Sequence, residues 1–155
     1  MVNHNKQMTD KTKKAQVVVA AIDPERQSFL FLLLQTNKKR GEFWQNITGK
    51  VEKDETYEEG ALREAIEETG LEVEMLVDMI ELGVQFDFID QWKRKVHEKT
   101  FLIIVEKKFD IKIDSSEHED FKWVELEKIH DGIVKHPSNY ETLLKAQHLL
   151  KHWGV

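Results

Sequence analysis

The chain has 155 residues, 23 Lys and Arg against 29 Asp and Glu, and no cysteine. At about 150 residues per domain this length fits one domain over residues 1–155, and 40% hydrophobic side chains are enough to build its core. The absent cysteines exclude disulfides, thiolate zinc sites and a cysteine nucleophile, and a net charge of −6 argues against a general coat for DNA.

Residues 1–14 are polar and lysine-bearing and read as a flexible arm, without the apolar stretch of a signal peptide. Residues 16–22 (QVVVAAI) are apolar and β-branched, the pattern of a buried strand. Asp23-Pro24-Glu25 turns the chain into a second strand over residues 29–35. Residues 36–43 are a basic loop, and a short strand over 44–48 ends at Gly49. Residues 56–69 give the clearest helix, with Thr56 and Glu59 spaced as a capping box and Gly70 as its stop. Strands are expected over 71–84, 86–89, 100–105, 111–113 and 121–124, with 90–99 as a charged connection. A second helix over 138–152 has its own capping box in Ser138 and Glu141. The longest apolar run, residues 29–34, is far too short to span a membrane. The sum is an α+β domain, with no membrane partner and a cytoplasmic location expected.

Between residues 52 and 74 ten carboxylates face two basic side chains. At about 100° per residue, Glu64, Glu67 and Glu68 fall within an arc of about 100° on one helix face, and Leu62, Ala65 and Ile66 on the opposite one. Gly60 falls on the acidic side, where a mid-helix glycine costs roughly 1 kcal/mol and implies that something needs the space. Like charges at these spacings repel. A solvated acidic face is one reading. A site for a hard divalent cation, bridging carboxylates to substrate phosphates, is the other.

Residues 49–71 read GKVEKDETYEEGALREAIEETGL. Gly49, Glu55, Arg63, Glu64, Ala65, Glu67, Glu68, Gly70 and Leu71 fill every defined position of the Nudix box, and the chain thereby resembles the Nudix hydrolases. The segments FWQNITGKVE (residues 43–52) and EHEDFKW (residues 117–123) are similar to the dihydroneopterin-triphosphate and dATP pyrophosphohydrolase branch. The resemblance implies an α/β/α sandwich around a mixed sheet and hydrolysis of a phosphoanhydride with Mg²⁺, or alternatively Mn²⁺. It implies Glu64, Glu67, Glu68 and the Gly49 carbonyl as metal ligands. Glu117 is implied as a further ligand or catalytic carboxylate, in preference to Glu119 or Asp120. Arg63 and Glu55 are implied as an ion pair that orients Glu64. The water's proton goes to Glu64 or Glu117. The expected products are a nucleoside (or pterin) monophosphate and pyrophosphate.

Substrate contacts are less specific. Lys38, Lys39 and Arg40 either capture phosphates or only solubilise their loop. Asn139 either reads a base edge or begins the last helix. Phe43, Trp44, Phe86, Phe88 and Tyr140 either stack on a base or fill the core, and His118 reads as packed rather than ligating. Lys50 after Gly49 does not make a phosphate loop, because Trp44 and Val51 stand where Gly and Ser/Thr are required. The expected partner is a nucleotide or nucleotide-like triphosphate, with a triphosphorylated RNA 5′ end as the rival substrate and a homodimer allowed. A catalytically spent sensory domain is the rival from another class, and the intact box opposes it.

Overall fold

The computed structural model describes residues 11–153. Seven strands form one mixed sheet: β1 (Thr12–Asp23), β2 (Ser28–Thr36), β3 (Trp44–Gln45), β4 (Ile47–Lys50), β5 (Leu76–Ile89), β6 (Lys95–Val105) and β7 (His118–Glu125). Helix α1 (Tyr57–Thr69) follows β4, and α2 (Pro137–Lys151) closes the chain. The order is β3-β2-β1-β6-β5, with β4 alongside β1 and β7 alongside β2. β1 runs parallel to β6 from Thr12↔Val96 to Ala21↔Val105, and the other pairings are antiparallel.

Strand periodicity sorts the core into two layers. Val17, Val19, Leu32, Leu34, Phe101 and Ile103 point to the α1 side and meet Ala61 and Ala65. Val18, Ala20, Phe31, Leu33, Leu102 and Ile104 point to the other side and meet Leu143, Ala146 and Leu150 of α2. Because β1, β2 and β6 are covered on both faces, their sequences are continuously apolar rather than alternating. The result is the α/β/α sandwich expected of the resemblance. No helix among the described residues is long and apolar enough to cross a membrane.

Helix α1 begins and ends as its sequence requires. Thr56 accepts from the Glu59 N–H, Glu59 accepts from the Thr56 N–H, and Gly70 at φ 77° closes the helix with its N–H on the Ile66 carbonyl. The side chain of Val51, not a ligand, occupies the space over Gly60, with methyl carbons 3.0 and 3.1 Å from where a Cβ would stand.

Several boundaries differ from the sequence reading. Of the expected flexible arm over residues 1–14, Thr12, Lys13 and Lys14 belong instead to β1, held by β6, and residues 1–10 lie outside the described residues. Gly49 does not break its strand, since it pairs with Ala15 inside β4. The strands expected over 71–84 and 86–89 are one, β5, its register shifting between Glu81 and Gln85. β6 starts at Lys95, inside the supposed connection, and residues 111–113 form no strand. The α2 capping box does not form: His136 is the N-cap without a side-chain bond, and Pro137 takes the first turn, where a missing N–H costs nothing.

Candidate active site

Arg63 organises one side of the site. Its Nε and Nη2 donate to Glu55 at 2.7 and 2.9 Å, Nη2 also to the Lys50 carbonyl at 2.9 Å, and Nη1 to Glu64 and Glu67 at 3.0 and 3.2 Å. The guanidinium, with the Glu52 N–H, holds the Glu55 carboxyl down at about 2. Its carboxylate neighbours, Glu55 foremost, keep Arg63 more firmly protonated than usual. Gly49 lies directly under Glu64, and a Cβ there would overlap the Glu64 carboxylate. Glycine at this position is therefore a requirement of close approach rather than of backbone conformation.

The three helix carboxylates do not share one environment. Glu67 is 57% exposed, whereas Glu68 is 2% exposed, and its Oε2 is buried without a hydrogen-bond partner. Glu68, Glu117 and His118 offer ligand atoms within 4.8 Å of one another. Burial first, then the charges of Glu117 and Glu64, push the Glu68 carboxyl up to about 10. Burial likewise raises Glu64, partly offset by Arg63. Such crowding is costly for carboxylates alone and favourable around a hard cation. The orphaned Glu68 oxygen, the oxygen-rich donor set and the clearance at Gly49 together fit a divalent metal.

Glu117 reaches this cluster because its loop is stapled from the other side. Asn37 donates its amide to the Ser115 and Ser116 carbonyls at 3.3 and 3.0 Å, and its N–H bonds the Glu117 carbonyl at 3.0 Å. The same side chain accepts from the Arg40 N–H, fixing the turn Lys38–Arg40, from which Arg40 reaches Glu117 at 3.3 Å. Trp123 packs with the α1-side core and edge-on to Phe109, anchoring the strand beyond. Gln35 pairs with Asp120 and Thr36 with His118, so Glu119 is the extra residue of a β-bulge and is exposed.

Arg40 joins the carboxylate cluster, while Lys38 and Lys39 stay exposed on their turn. Trp44 is not at the site: it packs with the α2-side core under the Lys122 ammonium. Asn139 is buried and lines a cavity of about 620 Å³ on the α2 side of the sheet, which also contains Arg40, Phe43, Phe86 and Phe88. His118, read from sequence as merely packed, belongs to the cluster, its Nδ1 buried without a partner and its Nε2 3.0 Å from the Gln45 amide. Asn37, His118 and the bulge at Glu119 escape sequence reasoning because their contacts come from distant segments.

The NUDIX domain family matches residues 12–146 of the chain. The chain is a Nudix hydrolase. It is 34% identical over 115 residues to the dihydroneopterin triphosphate diphosphatase of Haemophilus influenzae, covering 67% of this chain and 70% of that protein. Two solved structures show the same fold. The E. coli dihydroneopterin triphosphate pyrophosphohydrolase superposes with a TM-score of 0.69 at 24% identity, over 86% of this chain and 94% of that one. A C. elegans Ap4A hydrolase binary complex superposes at 0.73 and 22% identity, over 90% and 98%.

Proposed function

We propose that this Nudix hydrolase is a Mg²⁺-dependent pyrophosphohydrolase that cleaves a nucleoside or pterin triphosphate to the monophosphate and pyrophosphate. The observation that carries the proposal is the unpartnered, buried Glu68 oxygen beside Glu117, linked through Arg40 to an aromatic cavity. The relative named for dihydroneopterin triphosphate supports the same substrate class.

Glu64, Glu68 and Glu117 would hold the magnesium, which when bound neutralises phosphate charge and makes water a better nucleophile. Glu67 is more exposed and is paired with Arg63 at 3.2 Å. Arg63 keeps Glu64 fixed against the helix, and Glu55 keeps Arg63 fixed in turn. Glu117 is the better placed base: its carboxylate is 39% exposed beside Arg40, whereas Glu64 is engaged by Arg63. Arg40 meets the phosphates as they pass from the cavity to the carboxylates, and its planar fork suits that contact.

A triphosphorylated RNA end would need a basic path. Arg94 is instead tied to Asp90 at 2.8 Å and stacked on Trp92, and Asp87 and Asp90 line the cavity. This favours a small triphosphate. The test is product analysis with a panel of nucleoside triphosphates, dihydroneopterin triphosphate and triphosphorylated RNA, each with Mg²⁺. Pyrophosphate and a monophosphate from a small substrate support the proposal; turnover of RNA alone overturns it.

A further inference from the structure

A chain of buried amides runs beneath the cavity and ends on a carboxyl group for which catalysis has no use. Asn139 Oδ1 accepts from the Asn46 N–H at 2.7 Å, and Asn46 Nδ2 donates to the Asn139 carbonyl at 3.2 Å and to Gln16 Oε1 at 2.8 Å. Gln16 Nε2 then donates to Glu98 Oε1 at 3.0 Å. The orientation of every amide follows, because a backbone N–H can meet only the oxygen of Asn139, and the Asn139 backbone carbonyl can meet only the NH₂ of Asn46, which leaves Gln16 its oxygen for Asn46 and its NH₂ for Glu98. None of these bonds uses the Asn139 NH₂ group or the second Glu98 oxygen, and both residues line the cavity. Glu98 is 5% exposed and Asn139 4%, so neither is a solvated surface group.

Their placement is set by the sheet. Glu98 on β6 lies opposite Lys14 of β1 and Phe86 of β5. Phe43, Phe86, Phe88 and Trp92 line the same cavity, and such faces suit a flat heterocycle. The Glu98 carboxylate has acceptors only, its free second oxygen and the remaining lone pair of the oxygen that Gln16 holds, and an amide NH₂ offers donors. Together they complement an edge carrying a ring N–H, an adjacent amino group and a carbonyl oxygen. Guanine and pterins share that edge, the 2-amino-4-oxo pattern in pyrimidine numbering. Adenine offers one amino donor beside a bare ring nitrogen, whose lone pair would face a carboxylate oxygen.

We infer that Glu98, oriented by Gln16 and assisted by Asn139, is the specificity-determining residue that selects a 2-amino-4-oxo heterocycle, guanine or pterin, over adenine. The inference rests on the pyrophosphohydrolase reading for its setting and deepens it by naming the substrate class. A site built around a hydrogen-bonding edge rejects strongly what lacks that edge, because its buried polar groups are then left unpaired.

The test compares kcat/KM for GTP, ITP and ATP in the native protein and in Glu98→Gln. ITP differs from GTP only by the missing amino group. GTP should exceed both by at least tenfold. Glu98→Gln keeps an oxygen for Gln16 but turns an NH₂ group to the cavity, so it should lower GTP turnover at least tenfold, chiefly through KM, and narrow or invert the order against ATP. Titration calorimetry of the native protein with GMP and AMP reads the same preference without hydrolysis and does not depend on the variant's folding. Tighter binding of GMP without turnover of any triphosphate would uphold the inference while removing the pyrophosphohydrolase reading. Turnover of GTP and ATP at similar rates, moved equally by Glu98→Gln, would overturn the inference and leave the reading of the reaction intact.

Discussion

Replacing Glu68 with glutamine separates the cost of this carboxylate to the fold from its use in the reaction. Glu68 is almost fully buried, and its carboxyl is pushed from 4.5 up to about 10. Without a cation the folded protein therefore keeps a proton that the unfolded chain gives up above pH 4.5. The folded state binds more protons across this window, so stability must fall as pH rises from about 4.5 toward about 10. Across the two units between pH 6 and pH 8 the cost is roughly 3 kcal/mol. For a domain of this size that is a fall in Tm of roughly 5–10 °C. The substituted amide has no such proton to lose. In chelator, thermal unfolding of Glu68→Gln should lack this part of the pH slope, and at pH 8 the variant should be more stable than the native protein. Magnesium should raise the Tm of the native protein more at pH 8 than at pH 6, since binding requires the ionised carboxylate, and should do little for Glu68→Gln. Triphosphate turnover should be nearly abolished in the variant. Parallel pH slopes for the two proteins in chelator would refute the placement of Glu68 as a buried, cation-demanding carboxylate.

Gly49→Ala should displace Glu64 and cost on the order of 10²-fold in kcat, read by steady-state kinetics, with far-UV circular dichroism unchanged. Glu117→Gln should lower kcat far more than it raises KM, whereas Glu119→Gln, at an exposed bulge, should change either less than about threefold; the opposite ranking in saturation kinetics would reassign the base. Arg40→Ala should act mainly on KM for the triphosphate, by roughly tenfold, because Arg40 stands between cavity and carboxylates. Chelator should stop pyrophosphate release, and calcium should restore it poorly, since it does not demand the tight octahedral geometry of Mg²⁺.

What the sequence disclosed is what short-range rules govern. The capping box at Thr56 and Glu59 and the αL stop at Gly70 are local chemistry, and α1 begins and ends at them. The apolar runs of β1 and β6 are legible because a strand covered on both faces must be apolar throughout. At the site, the helical arc gathered Glu64, Glu67 and Glu68 correctly as neighbours but could not say that only Glu68 is buried. That difference is made by β7, roughly fifty residues away, which brings Glu117 and His118 against it. A clean strand would have set His118 and Asp120 opposite residues two apart on β2, whereas the bulge at Glu119 sets them opposite the adjacent Thr36 and Gln35. Trp44 sits beside the aromatic cavity residue Phe43 in sequence yet packs into the α2-side core, and β3, two residues long, is too short for a pattern to show it. The Asn139–Asn46–Gln16–Glu98 chain joins four distant segments and has no local signature.

The most direct test of the reaction assigned to this Nudix hydrolase is phosphorus NMR of the products formed from dihydroneopterin triphosphate or GTP in Mg²⁺, run beside an identical sample in excess chelator. One equivalent of monophosphate and one of pyrophosphate, formed only without chelator, is the result that cleavage at a carboxylate-held cation requires. Release of orthophosphate with the diphosphate, or the same rate in chelator, would contradict it.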